Sequence, residues 1–309
     1  MNSVSTDPRE PTNAGSAARF ADYLQLTKPR LSLLSVLTAI VGYLVARSPW
    51  DGSRFGFALF GTSLCAAGVA TLNQWMETDT DARMRRTEDR PLPAGRVASG
   101  SAFVLGWGLC ALGLGVLFRQ VNGLSSFFAL ATIVSYLAIY TPAKRFSPFS
   151  TEIGAVAGAF PPLIGWAAAA HSVTELGWVL FAILLFWQIP HFMAIAWTHR
   201  HDYAEVNFPM LAVRDVSGTR VAAWSLINTL LVVGCALWPG LRGFASLSYL
   251  IFTALLGLWF FGCALGFMRS KSRDAAAKRL FYASIIWLPL QLGALVIDRF
   301  LFVSPSLSP

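Results

Sequence analysis

FGFALFGTSLCAAGVATLNQWMETDTD, residues 55–81, decides how this chain reads. Residues 55–75 form an apolar run long enough to cross a bilayer as a helix, which takes about 20 residues. Asn73, Glu77 and Asp81 follow one another at four-residue steps where the run ends. At about 100° per residue each step drifts by only about 40°, so the three side chains share one helical face within about 80°. An amide and two carboxylates stacked at a membrane boundary are costly unless something cationic binds there. Hard oxygen donors suit Mg²⁺, which is held by one or two carboxylates together with substrate phosphates. Arg83, Arg85, Arg86 and Arg90 come next and fit a phosphate-bearing substrate. The competing reading is an ordinary charged helix end. Asp79 fits that description, pointing about 200° away from Glu77.

The rest of the chain repeats the apolar theme. Of its 309 residues 55% are hydrophobic and 13% charged, against about 25% charged in soluble domains. Nine runs are each long enough to span: about 31–47, 55–75, 101–118, 123–141, 153–171, 176–197, 221–241, 247–268 and 281–301. The expectation is therefore an all-α, multi-pass membrane protein with a single transmembrane domain over 21–303. Residues 1–20 are polar, lack a signal-peptide layout, and are expected to be a disordered cytoplasmic tail. Residues 304–309 are expected to be a short C-terminal tail.

The net charge is +8, and its distribution sets an orientation. Arg47, Arg54, Arg119, Arg242 and Arg299 fall on one side; the other 19 of the 24 Lys and Arg fall on the N-terminal side. The positive-inside rule then places the N-terminus and the loops after spans 2, 4, 6 and 8 in the cytoplasm. Membrane orientation accounts for the basic charge, so no nucleic-acid partner is expected. Cys65, Cys110, Cys235 and Cys263 all lie inside spans and read as small apolar residues.

The inner loops carry the remaining chemistry. In RRTEDRPLPAGR, residues 85–96, Arg86 and Arg90 have the forked shape that grips diphosphate oxygens, and RPLPAG reads as a stiff turn. The plain alternative is a basic inner loop obeying the orientation rule. YTPAKR, residues 140–145, offers Lys144 and Arg145 as a second basic contact, or as side chains snorkelling to the head groups. His191 of QIPHF is the only histidine well inside a span; it reads either as a packing residue or as a haem-iron ligand. Prolines in spans 4 to 6 imply kinks, and a cavity that would expose His191 on its wall. In HRHDYAEVNFPML, residues 199–211, Asp202 is a tentative further metal ligand beside Glu77 and Asp81.

DARMRRTEDRPLPAG, YTPAKR, IGAVAGAFPPLIGWAA, PHFMAIAW and DYAEVNFPML, together with the Asn73–Glu77–Asp81 spacing, resemble the intramembrane UbiA-type prenyltransferase superfamily. The resemblance runs from about Lys28 to the C-terminus and is strongest to the haem-modifying, farnesyl-transferring branch. It departs from the pattern at Ser147, Ser150 and Asn207, where Thr, Asn and a small residue are usual, and at WTHRHDY, which has one main acid where quinone-directed relatives have two or more.

The resemblance implies nine helices around a central cavity in the cytoplasmic membrane. It implies Mg²⁺ as cofactor, and farnesyl diphosphate, haem B and water as substrates giving haem O. Asn73, Glu77, Asp81, Arg86 and Arg90 would be catalytic; Arg86, Arg90, Lys144 and Arg145 would bind diphosphate; His191 would bind haem. Haem A synthase or oxidase-assembly proteins would be downstream partners. A prenyltransferase acting on a quinone precursor and an ion-coupled transporter are the alternatives. A transporter's acids would be paired within spans; here they cluster at one face beside arginines.

Overall fold

Lipid offers no hydrogen-bond partners, so each apolar run must close its own backbone bonds, and helices result. The computed structural model describes residues 19–302. The two expected tails lie outside the described residues, except that Arg19 is extended and Phe20 opens a short helix, Phe20–Leu26. Among the described residues all regular structure is helical, and nine helices are long and apolar enough to cross a membrane. They are α1 (Pro29–Ala46), α2 (Gly52–Met76), α3 (Ser99–Val121), α4 (Gly123–Ala143), α5 (Ser150–Ala170), α6 (Glu175–Thr198), α7 (Thr219–Leu241), α8 (Leu247–Arg269) and α9 (Arg273–Leu301). Number and order match the expectation. The largest difference is the start of α9. Its first two turns, residues 273–280, are amphipathic and bury only Ala276, Ala277 and Leu280, so hydropathy alone does not show them.

Short polar side chains set the helix starts. The Asp51 carboxylate accepts from the Arg54 amide at 3.0 Å, and Asn122 accepts from the Ser125 amide at 2.8 Å, dividing α3 from α4. The ends of α3 and α4 are π-helical, over Leu117–Val121 and Ser135–Tyr140. α5 is divided at Phe160, where Pro161 opens its second half.

Small residues let the helices approach closely, as membrane packing requires. α1 crosses the second half of α5 so tightly that a Cβ on Gly42 would lie 1.9 Å from the Pro162 carbonyl oxygen, and one on Gly165 1.8 Å from that of Ala39. Gly61 and Gly68 of α2 meet Gly113 and Gly106 of α3 in the same way. Gly165→Val is therefore expected to cost at least about 3 kcal/mol, seen as a loss of folded monodisperse protein in detergent. A variant that melts with the parent would mean the crossing can widen freely.

Two apolar cores result. One joins α2 to α5 around Leu72, Leu117, Phe128 and Leu163; the other joins α1 and α5 to α9 around Trp166, Leu180, Trp187, Phe260 and Trp287. α9 returns to α1, where the Arg47 guanidinium donates to the Arg299 carbonyl and lies 5.6 Å from the Phe300 ring centre. The loops after α2 and α6 also meet, Met84 packing with Val206 and Phe208.

Candidate active site

The site begins before the first span. Lys28 adopts a left-handed backbone, φ 46° and ψ 59°, immediately before Pro29. That conformation costs a non-glycine residue about 1–2 kcal/mol, and it turns the ammonium back under the bundle. Lys28 Nζ donates to Asn73 Oδ1 at 3.0 Å. The Gln74 amide, donating to the Leu26 carbonyl at 2.7 Å, pins the preceding helix to α2. Burial pushes Lys28 down to about 7, helped by the Arg90 and Lys144 charges and opposed by Glu77 and Asp81. Sequence reading missed Lys28 as a site residue, counting it only as part of the basic N-terminal side. Its partner lies 45 positions away, and the one local signal is the Lys-Pro step.

The three aligned side chains stay together, although the helix does not continue as expected. α2 ends at Met76, and a separate turn, Thr78–Asp81, follows. Glu77 sits at the junction with φ −103° and ψ 8°. Two hydrogen bonds carry the helical pattern across it: Glu77 amide to Asn73 carbonyl at 3.1 Å, and Asp81 amide to Glu77 carbonyl at 2.7 Å. Asn73 Nδ2 donates to Glu77 Oε2 at 3.0 Å and to Thr141 Oγ1 at 3.3 Å. All three are buried, at 1%, 7% and 1% exposure for Asn73, Glu77 and Asp81.

Two cations hold the two acids. Lys144 Nζ lies 2.8 Å from Glu77 Oε1 and 3.1 Å from Oε2, and Arg90 Nη1 lies 2.6 Å from Asp81 Oδ2. The Tyr140 ring lies 4.6 Å from Lys144 Nζ and packs against Tyr136 at 4.9 Å. The π-helical turn places these rings, and Gly154 leaves room for Tyr140: a Cβ there would lie 2.6 Å from the ring. The RPLPAG turn folds as expected, with the Arg96 and Val97 amides both bonded to the Pro91 carbonyl and Gly95 at φ 68°.

Other expected residues stand apart. Arg86 is exposed and makes no hydrogen bond or ion pair among the described residues. Arg145 is turned outward onto Asp79 at 2.8 Å and the Met76 carbonyl at 3.0 Å. Asp202 does not join Glu77 and Asp81; it lies 3.4 Å from His199 in the short helix Arg200–Glu205. Its neighbour Tyr203 packs toward Met84, and adjacent helical positions point about 100° apart. No group of three His, Cys, Asp or Glu suited to a metal occurs among the described residues. The donor set is thus two carboxylates, which suits a cation that takes its other ligands from phosphate and water.

His191 occupies a built position seven residues before the end of α6, about 10 Å along the axis. Its ring lies between Trp187 at 4.9 Å and Phe281 at 5.1 Å, both near parallel. Nδ1 lies 2.8 Å from Ser284 Oγ, and that hydroxyl donates to the Phe281 carbonyl at 2.6 Å. The hydroxyl proton is therefore used, Nδ1 must donate, and Nε2 carries the lone pair. Nε2 has no hydrogen-bond partner among the described residues.

The model of the UbiA prenyltransferase family matches residues 35–286. A protein of Opitutus terrae named protoheme IX farnesyltransferase is 60% identical over 293 residues, covering 95% of this chain and 99% of that one. A solved structure of digeranylgeranylglyceryl phosphate synthase superposes with a TM-score of 0.78 at 17% identity, covering 90% of this chain and 98% of that one. A UbiA homolog from Archaeoglobus fulgidus bound to DMAPP and Mg²⁺ superposes with a TM-score of 0.70 at 14% identity, covering 91% and 100%.

Proposed function

This chain belongs to the UbiA prenyltransferase family, and from that premise we propose that it farnesylates protohaem IX, converting haem B to haem O. The observation that carries the diphosphate half is the set of buried Asn73, Glu77 and Asp81 held by half-buried Lys28, Arg90 and Lys144 at one end of the bundle. The 60% identical Opitutus terrae relative supports the haem half. The reading places the N-terminus and the site in the cytoplasm, follows the positive-inside rule, and assigns the chain to the cytoplasmic membrane. In this reading residues 21–303 act as one transmembrane unit.

Glu77 and Asp81 would hold Mg²⁺, which when bound neutralises diphosphate charge and assists its departure. Arg90 and Lys144, with Lys28 once bound diphosphate has drawn it into its charged form, supply positive charge where negative charge grows as the farnesyl C1–O bond breaks. Arg86, exposed, and Arg145, turned onto Asp79, make no contact with this set and in this reading serve capture rather than chemistry. Tyr140 turns its ring face to the site, with Lys144 Nζ over it at 4.6 Å, and such faces attract a cation. Electrons of a haem vinyl group form the new bond to C1. Water then adds to the cation left beside the porphyrin and loses a proton, giving the hydroxyethylfarnesyl chain. The apolar interior keeps other water from the first cation. His191 orients haem by placing the Nε2 lone pair on iron. The product would pass to haem A synthase or oxidase-assembly proteins.

The test is haem analysis of membranes expressing the chain, with and without Glu77→Gln. Haem O is expected only with the intact chain. Its absence from membranes holding well-inserted intact protein, supplied with haem B and farnesyl diphosphate, would sink the haem reading and turn attention to quinone precursors. A second expectation concerns His191→Ala. Haem affinity, read from the Soret band, should fall by at least about tenfold, or about 1.4 kcal/mol, while farnesyl diphosphate affinity stays within about twofold. Equal losses would reduce His191 to a packing residue.

A further inference from the structure

The seam between α8 and α9 faces outward from the bundle and contains a groove at the same end as the site. Its cavity volume is about 450 Å³. Gly262 and Gly266 form its floor, Trp259 closes its deep end, and Ser270 and Ser272 stand at its mouth. A Cβ on either glycine would meet nothing within 4 Å, unlike the glycines that seat one helix on another. Arg279 lines the groove six residues into α9, about 9 Å along the axis from its start. Its guanidinium makes no hydrogen bond or ion pair among the described residues. Arg279 is exposed and lies in the amphipathic first two turns of α9, where a long basic side chain can reach head groups or an anion. Arg269, Lys271 and Lys278 add exposed positive charge nearby, likewise without an ion pair among the described residues. The nearest acid, Asp274, is already engaged by Arg200 at 3.0 Å and by the Trp197 indole at 2.8 Å.

We propose that this groove holds an anionic phospholipid, its phosphate at the mouth within reach of the Arg279 side chain and an acyl chain along Gly266 and Gly262. Basic pockets between transmembrane helices are suited to such head groups. A second copy of the chain is the poorer occupant. A twofold contact would set the same surface against itself and bring Arg279 and its basic neighbours toward their own counterparts. The same seam carries an internal contrast. At its other end a groove of about 360 Å³ is lined by Gly293, Ile297 and Asp298, with no basic side chain in its wall. One seam thus offers two apolar grooves of similar size, and only the one at the site end has charge complementary to an acidic head group. The proposal does not depend on the haem reading.

The test is native mass spectrometry of the full chain released from detergent, titrated with phosphatidylglycerol and, separately, phosphatidylcholine of the same acyl chains. The intact chain is expected to retain phosphatidylglycerol with at least about fivefold preference, the equivalent of about 1 kcal/mol for one basic group. Arg279→Gln should reduce that preference to within about twofold. Gly266→Leu, which fills the groove, should abolish retention, whereas Gly293→Leu in the other groove should leave the preference unchanged. Equal retention of both lipids, or a preference that survives Arg279→Gln, would overturn the assignment. So would displacement of the lipid by millimolar inorganic phosphate, or a dimer that Gly266→Leu converts to monomer without loss of bound lipid.

Discussion

Asp81→Asn is expected to lower turnover about a thousandfold, or about 4 kcal/mol, while the protein stays inserted and folded. Asp81 is 1% exposed and its carboxylate meets Arg90 at 2.6 Å. Asparagine has nearly the same shape, and the Asp81 carbonyl keeps its bond from the Thr87 hydroxyl, 2.9 Å long. What disappears is one of two carboxylates available to Mg²⁺, and the charge that holds Arg90 in position. Both losses act on the leaving diphosphate, so the effect belongs mainly in kcat. Asp79→Asn supplies the control. That side chain is 58% exposed and among the described residues pairs only with Arg145, so the change should alter turnover by no more than about twofold. The measurement is turnover of purified enzyme in liposomes across a Mg²⁺ titration. Near-normal rates for Asp81→Asn would remove Asp81 from the site, and equal losses in both variants would point to disruption of the whole loop.

The contrast between these two aspartates was legible in the sequence because helical spacing separates them by face. So were the nine spans, since lipid forces every long apolar run into a helix. Legibility ended where position depends on a turn or on distant chain. The break at Glu77 leaves the hydrogen-bond pattern intact, so spacing could not reveal it. Arg86 and Arg90 look alike in sequence. Only the fold of the 82–96 loop places Arg90 on Asp81 and leaves Arg86 in solvent. Asp202 carried the right chemistry on the wrong side of its short helix, one position from Tyr203, which does face the site loops. The tautomer of His191 depends on Ser284, 93 positions away, and no local pattern encodes it.

Lys28 is the residue with most at stake among those that sequence reading passed over. Its strained backbone, half-buried ammonium and bond to Asn73 place a charge where it is least comfortable until an anion arrives. Lys28→Met is expected to weaken farnesyl diphosphate binding about thirtyfold, or about 2 kcal/mol, the range of a charge-assisted hydrogen bond. The same residue predicts a pH dependence whose sign is fixed. With its ionisation pushed down to about 7, Lys28 is mostly neutral above that pH in the free enzyme. Diphosphate favours the charged form, so binding above pH 7 must take up a proton. Affinity should then fall as pH rises from 7 to 9, by up to about tenfold per unit, and Lys28 should add no slope below pH 7. Lys28→Met measured in parallel removes that contribution while retaining the ionisation of diphosphate and of every other group. Lys28→Arg should recover part of the affinity yet stay flat, because guanidinium does not titrate in this range. The decisive readout is the difference in slope between the parent chain and Lys28→Met. An identical slope in both would show that Lys28 stays charged in the free enzyme. A flat, full-affinity Lys28→Met would remove it from the diphosphate site altogether.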